Sequence, residues 1–199
     1  MAKGTWIALG VLGGILLLAV GVVGSAIGTY NELNRENVAV DQQAKQVDVT
    51  YQKAFALLPS IERLATTYLQ NESDIQTRIA ALRTGLAPAQ GGNETQKDDY
   101  VRALGEVTDL IVIAGRTEAY PELRSIDLYQ TVITERINVE NQILGEKTRY
   151  NDRVAKLNAH LKECCLPLIV GRLAGFEARE FKGYSDSPNQ EPFPVGQTY

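Results

Sequence analysis

Hydrophobic and polar positions change character once along the chain, and that change predicts the architecture. From Thr5 to Ile27 no residue carries a charge. Such a run spans roughly 35 Å as a helix, at about 1.5 Å per residue, and the hydrocarbon core of a bilayer is about 30 Å thick. Beyond it the pattern becomes amphipathic. Leu33, Val40, Val47, Ala54, Ile61 and Tyr68 form one seven-residue series, and Ala44, Tyr51, Leu58 and Ala65 form a second four residues on. Two such series make the apolar seam of a long packed helix. No proline or loop cluster lies between Gly28 and Val38, so the apolar run and the first amphipathic helix are expected to be continuous. Pro59 interrupts the seam without changing its phase and is read as a kink, because proline removes one backbone bond and crowds the preceding turn.

Three further elements follow. The stretch Gly85-Leu86-Ala87-Pro88-Ala89-Gln90-Gly91-Gly92-Asn93 is rich in breakers and reads as a loop, with Asn93 or Thr95 placed to cap the next helix. That helix carries Val101, Leu104, Val107, Leu110, Ile111 and Ala114 at spacings of three and four, and ends near Tyr120-Pro121. A last long helix carries Leu128, Val132, Ile133, Ile137, Ile143, Leu144, Tyr150, Val154, Leu157 and Leu161, and stops before Pro167. A short apolar segment, Leu166 to Phe181, is expected to pack back on the bundle. From Gly183 the chain holds Pro188, Pro192 and Pro194 with little apolar content, and residues 183–199 read as an extended or disordered tail. The expectation is an all-α protein: a transmembrane anchor over residues 1–29, continuous with an antiparallel, up-and-down bundle over residues 30–182.

Details of the apolar run sharpen this. Trp6 and Tyr30 stand at its two ends, where amphipathic rings settle among headgroups. A cleaved signal peptide, with Gly24-Ser25-Ala26 as the peptidase site, is the competing reading. The run is too long for a typical signal core, and its basic leader is Lys3 alone. Gly14, Gly21 and Gly28 recur every seven residues, and Gly10 with Gly14 and Gly24 with Gly28 each make a G-x-x-x-G pair. Small residues on one face let membrane helices approach closely. From Gly28 to Leu33 is five residues, about 140° round the helix. The glycine face is therefore expected to meet a neighbouring chain while the seam packs the protein's own helices. Lys3 precedes the run and Arg35 beyond it is flanked by Glu32 and Glu36. This favours a cytoplasmic N-terminus with the body on the outer or periplasmic side of the inner membrane.

Composition removes some classes of function. The formal net charge is −4 and there is no run of basic residues, which argues against nucleic-acid binding and against a polybasic lipid-binding segment. The two cysteines, Cys164 and Cys165, are adjacent and cannot staple a long loop. His160 and Cys164 are four apart on a helix, but His160 is the sole histidine, and a structural metal site needs four ligands. No cofactor, metal site or catalytic set is expected. Tyr120-Pro121-Glu122-Leu123 reads as a helix–helix turn. Acidic residues paired at helical spacing, such as Asp98 with Arg102 and Glu146 with Tyr150, read as solvated faces.

The densest polar group on the last long helix is Glu140, Asn141, Arg149, Tyr150 and Asn151. Asn141, and Asn158 beyond it, are read as lying among seam positions, where polar residues set helix register. A ligand site between helices is the sharper alternative.

Several ordered stretches resemble the LemA family: Tyr30-Asn31, Leu57-Leu58-Pro59, Glu118-Ala119-Tyr120-Pro121-Glu122-Leu123-Arg124, Glu140-Asn141-Gln142-Ile143, and Arg149-Tyr150-Asn151 followed by Val154 and Asn158. The chain departs from the family where an acidic residue and an asparagine usually flank the Leu-Ile-Pro element; here Ala56 and Ser60 stand there. The resemblance runs from Tyr30 to about Phe181. It implies a membrane-anchored antiparallel bundle of bacteria or archaea and no established enzymatic activity. The function expected is a non-enzymatic, self-associating scaffold or interaction protein of a prokaryotic envelope. A membrane-tethered ligand sensor or enzyme, or an adaptor for one envelope partner, are the alternatives.

Overall fold

The computed structural model describes residues 2–116, 120, 122–163 and 166–182, with backbone alone for residues 2–8. The fold is all-α. Helix α1 runs Ala2–Phe55 without a break, so the apolar run and the first amphipathic helix are one element. It is followed by α2 (Leu58–Tyr68), α3 (Ser73–Gly91), α4 (Glu94–Arg116), a 3-10 turn (Leu123–Ser125), α5 (Asp127–Lys162) and α6 (Leu166–Ala174). The N-terminal part of α1 is long and apolar enough to cross a membrane. Its large side chains are open to the surroundings, from Leu9 to Ile27.

The described residues group into two compact units. One takes the chain up to Gln42 with Asn151–Phe181, and the other takes Gln43–Tyr150 with Lys182. In the second unit the seam is buried at Val47, Tyr51, Ala54, Leu58, Ile61 and Ala65. Helices α3 and α4 are antiparallel: Arg78 pairs with Glu106 and Gly85 faces Tyr100, both symmetric about the turn at Gly92-Asn93. In the first unit Leu33 and Val40 of α1 are buried, as are Val154 and Leu157 of α5.

Four sequence expectations need correction. Pro59 does not kink a continuous helix. α1 stops at Phe55 and α2 restarts at Leu58, with Pro59 in its first turn, where a missing N–H leaves no bond unmade. The amides of Ser60 and Ile61 both donate to the carbonyl of Leu57, at 3.1 Å. The breaker-rich stretch from Gly85 is mostly helical, since α3 continues through Pro88 to Gly91 and leaves only Gly92 and Asn93 as connection. Pro88 lies in the last turns and forfeits one helical bond, while Ala89 beyond it is buried. Conversely, Leu69 to Glu72 is a turn without glycine or proline. Gln76 Nε2 braces it by donating to the carbonyls of Ala65 (3.2 Å) and Leu69 (3.1 Å), which also accept the amides of Leu69 and Glu72. On α5 the buried stripe is Tyr129, Val132, Val139, Ile143, Lys147, Tyr150, Val154 and Leu157, whereas Ile137 and Leu144 are exposed.

Asn93 caps α4 as expected. Its Oδ1 accepts the amide of Gln96 at 3.0 Å, and Gln96 Oε1 accepts the amide of Asn93 at 3.0 Å, a reciprocal capping box. Residues 164–165 and the tail from Gly183 lie outside the described residues.

Candidate functional site

Within the second unit the charged residues converge on Lys147, whose side chain is 2% exposed although it carries an ammonium. It lies on the stripe of α5, four residues after Ile143 and three before Tyr150. Its Nζ meets both oxygens of Asp98, at 2.8 and 2.7 Å, and Glu94 Oε1 at 3.3 Å, both on α4. Tyr51 of α1 donates its hydroxyl to the same Asp98, and Lys147 lies 5.7 Å from the Tyr51 ring centre. Around this centre Lys97 pairs with Asp48 (2.7 Å) and Lys182 with Glu94 Oε2 (3.0 Å). Lys182 also stands 5.1 Å from the centre of the Tyr150 ring. Burial, reinforced by the Asp98 carboxylate, pushes the Tyr51 hydroxyl far above its usual range. The phenol stays a donor, and the network ties α1, α4 and α5 through one buried cation.

A groove of about 350 Å³ lies between α3 and α4, lined in part by Arg78, Leu82, Pro88, Tyr100 and Val107. Tyr100 is 5% exposed and its hydroxyl has no hydrogen-bond partner among the described residues. Burial, with the nearby Glu62 carboxylate, pushes its pKa up to about 12.

In the first unit Glu36 accepts His160 Nδ1 at 3.0 Å and Lys156 at 3.1 Å. Among the described residues, Glu32, Glu36 and His160 offer ligand-type atoms within 4.8 Å of one another. The histidine thus neighbours two glutamates of α1. Asn158 makes a two-point clamp on Arg179, donating to its carbonyl and accepting its amide, both at 2.9 Å. The Arg179 guanidinium reaches Asn37 (2.8 Å) and Asp41 (3.2 Å).

The polar residues singled out on the last long helix take different surroundings. Glu140 pairs with Arg136 at 2.8 Å and Arg149 with Glu146 at 2.5 Å. Asn141 is exposed, so it sets no register by burial; Asn158 is half-buried and serves the backbone clamp. Tyr150 is buried and Asn151 half-buried. The buried polar groups of α5 are instead Lys147 and, partly, Arg136. Asp98 and Glu146, read as solvated from their spacing, are drawn inward: Asp98 to Lys147, and Glu146 to Gln43 Nε2, at 2.6 Å. The signal for Lys147 was its place in the stripe rather than its residue type.

In α1, a Cβ added to Gly10, Gly14, Gly21, Gly24 or Gly28 would meet nothing within 4 Å, so the glycine face is open along its length. Tyr30 is exposed and faces Phe176, with ring centres 5.8 Å apart. The side chain of Trp6 lies outside the described residues.

The corner after α4 is described at Tyr120 and from Glu122. Tyr120 donates to Glu72 at 3.0 Å, which raises its pKa, and Arg124 Nε donates to the Gly115 carbonyl at 2.6 Å.

Compared with known proteins, the chain matches the model of the LemA family over residues 43–194. No curated protein matches it.

Proposed function

The chain belongs to the LemA family, and from that premise we propose that it is a single-pass, non-enzymatic scaffold of a prokaryotic envelope whose copies associate through the glycine face of the span. The observation that carries this is the open face of α1. Five glycines on one face of the helix present bare backbone, and the large apolar side chains around them are exposed. In lipid such a stripe lets two helices approach until their backbones pack. The body supports the same reading, because its most buried charge, Lys147, links three helices and its other acids and bases pair mainly between neighbouring helices. The lipid bilayer and further copies of the chain are then the first partners, with an envelope protein as a possible third. The body lies on the outer or periplasmic side.

Single cysteines in a background lacking Cys164 and Cys165 test the association. Cysteine at Gly14 or Gly21 gives disulfide-linked dimers in native membranes, and cysteine at Leu17 gives few. Equal yields at all three positions would exclude the glycine face as the contact. Protease protection of the body in sealed cells and in inverted vesicles tests the orientation.

A further inference from the structure

Helix α6 reads Leu-Pro-Leu-Ile-Val-Gly-Arg-Leu-Ala, with Arg172 as its sole charge. It is held by one side. Gly171 is buried, and a Cβ there would lie 2.9 Å from Leu161 Cδ2 and 3.9 Å from Leu33 Cδ1, so the α6 backbone rests directly on α5 and α1. Ile169 and Leu173 each stand two residues from Gly171, about 200° round the helix. They share the opposite face and are 55% and 84% exposed. The helix ends in a tight reversal. Gly175 takes φ +74°, its amide reaches the Arg172 carbonyl, and the Phe176 amide reaches that of Gly171 at 2.9 Å, the pattern of a Schellman stop. The reversal sets Phe176 against Tyr30.

These contacts give α6 a depth. The large apolar residues of the span end at Ile27, and the first charge after them is Glu32. Along α1, Tyr30 lies about 4.5 Å beyond Ile27 and Leu33 about 9 Å. The headgroup zone on each side of the hydrocarbon is roughly 5–7 Å thick. A helix resting on Leu33, with its exit turned back against Tyr30, therefore sits at the outer side of the headgroup zone, and its exposed face is apolar.

We propose that α6 is an interfacial helix that binds the surface of the same bilayer, with Ile169 and Leu173 turned into the headgroup layer towards the outermost acyl segments. This rests on reading α1 as the membrane span. Lipid is the occupant because the depth is imposed by continuity with the span, and a helix at that depth has lipid for its surroundings. One arginine among apolar residues points to apolar burial rather than attraction to anionic lipid, so neutral phosphatidylcholine suffices.

Tryptophan fluorescence tests this on the full chain. Trp6 is the only tryptophan, so Trp6→Phe provides a silent background. Leu173→Trp, Leu17→Trp in the span, and Ile113→Trp on an exposed site of α4 are reconstituted in phosphatidylcholine vesicles containing lipid brominated high in the acyl chain. Leu173→Trp is expected to emit at shorter wavelength than Ile113→Trp and to be quenched several-fold more strongly. If Leu17→Trp is quenched while Leu173→Trp behaves like Ile113→Trp, α6 lies outside the interface and this inference alone falls. A blue-shifted but unquenched Leu173→Trp means another protein surface covers the face, which also overturns it. If Leu17→Trp is itself unquenched, the span reading falls and the inference with it.

Discussion

Removing Lys147 should destabilise the body far more than removing a typical helix-surface lysine. The ammonium is 2% exposed, and the side chains of Asp98 and Glu94 are 14% and 27% exposed. Lys147→Met keeps the volume and removes the charge, leaving Asp98 enclosed with Tyr51 as its remaining donor. Breaking a buried pair from one side costs 3–5 kcal/mol because the other charge stays behind uncompensated. Both acids retain some water, so the expected loss is about 3 kcal/mol, at the lower end of that range. The same physics predicts recovery when the whole set is made apolar. Asp98→Leu alone would strand the Tyr51 hydroxyl, so the compensating variant is Tyr51→Phe, Asp98→Leu, Lys147→Met. Replacing a buried ionic set with apolar residues of similar volume is often neutral or better, and Glu94 keeps Lys182. Urea unfolding of the full chain in detergent, followed by far-UV circular dichroism, gives both numbers, and an unchanged slope shows that stability alone has moved. A Lys147→Met loss under about 1 kcal/mol would place the pair in the range of surface salt bridges and refute the argument. So would a triple variant no more stable than the single one.

Tyr100→Phe should stabilise the body by about 1 kcal/mol, since the hydroxyl is buried without a partner among the described residues and its desolvation is uncompensated; a loss in the same urea titration would show that the hydroxyl is satisfied. The tyrosines also set an alkaline limit. Tyr100 is held up to about 12 in the folded chain, whereas an unfolded tyrosine ionises near 10. Above pH 10 the unfolded chain releases protons that the folded chain keeps. Stability is therefore complete below that pH and falls as pH rises towards 12, with Tyr51 acting in the same direction. Tyr100→Phe should blunt this fall, and stability that is flat between pH 9 and 11.5 would contradict it. Asn93→Ala removes one half of the capping box and should cost about 1 kcal/mol, with Asn93→Ser close to wild type; equal stability of all three would mean the cap contributes nothing.

Much of the fold was legible because burial follows period. The seven-residue series from Leu33 to Ile61 is the buried stripe of α1 and α2, and the join of the apolar run to the first amphipathic helix is a single unbroken helix. Backbone chemistry was less legible. Proline and glycine mark where a helix is allowed to end, and packing decided that α3 should run through Pro88. The turn at Leu69 to Glu72 has no such marker and depends on Gln76, seven residues beyond Leu69. Site chemistry was least legible, for a specific reason. Residue type and density single out Glu140, Asn141, Arg149, Tyr150 and Asn151. What matters is phase: Tyr150 of that group stands in the buried stripe of α5, and the charged residue there is Lys147. Its partner Asp98 looked solvated because intrahelical spacing suggested Arg102, while Arg102 pairs with Asp99 and Asp98 turns inward.

The unbroken α1 makes the direction of the glycine face a consequence of packing further along the same helix. Leu33 and Val40 are buried, and Glu36, Asn37 and Asp41 take Lys156, His160 and Arg179. The solvent-facing pair of Arg179 with Asp41 is worth little alone, about 0–1 kcal/mol, while Glu36 with His160 is largely enclosed. Together with the apolar contacts they leave α1 one rotational setting against its partners in that unit. Any turn of the glycine stripe relative to Leu33 must then come from the helix itself. One alanine inserted after Thr29 adds about 100° between the stripe and Leu33, whereas a seven-residue helical insertion leaves them within about 20° of their starting relation. If scaffold assembly needs the span and the body to present their faces together, dimer yield from cysteine at Gly14 should drop with the single insertion and persist with the seven-residue one. Thermal stability of the body, which the insertions do not touch, should be unchanged in both. Equal cross-linking in all three chains would mean the span associates without regard to the body, and the continuity of α1 would then serve attachment alone.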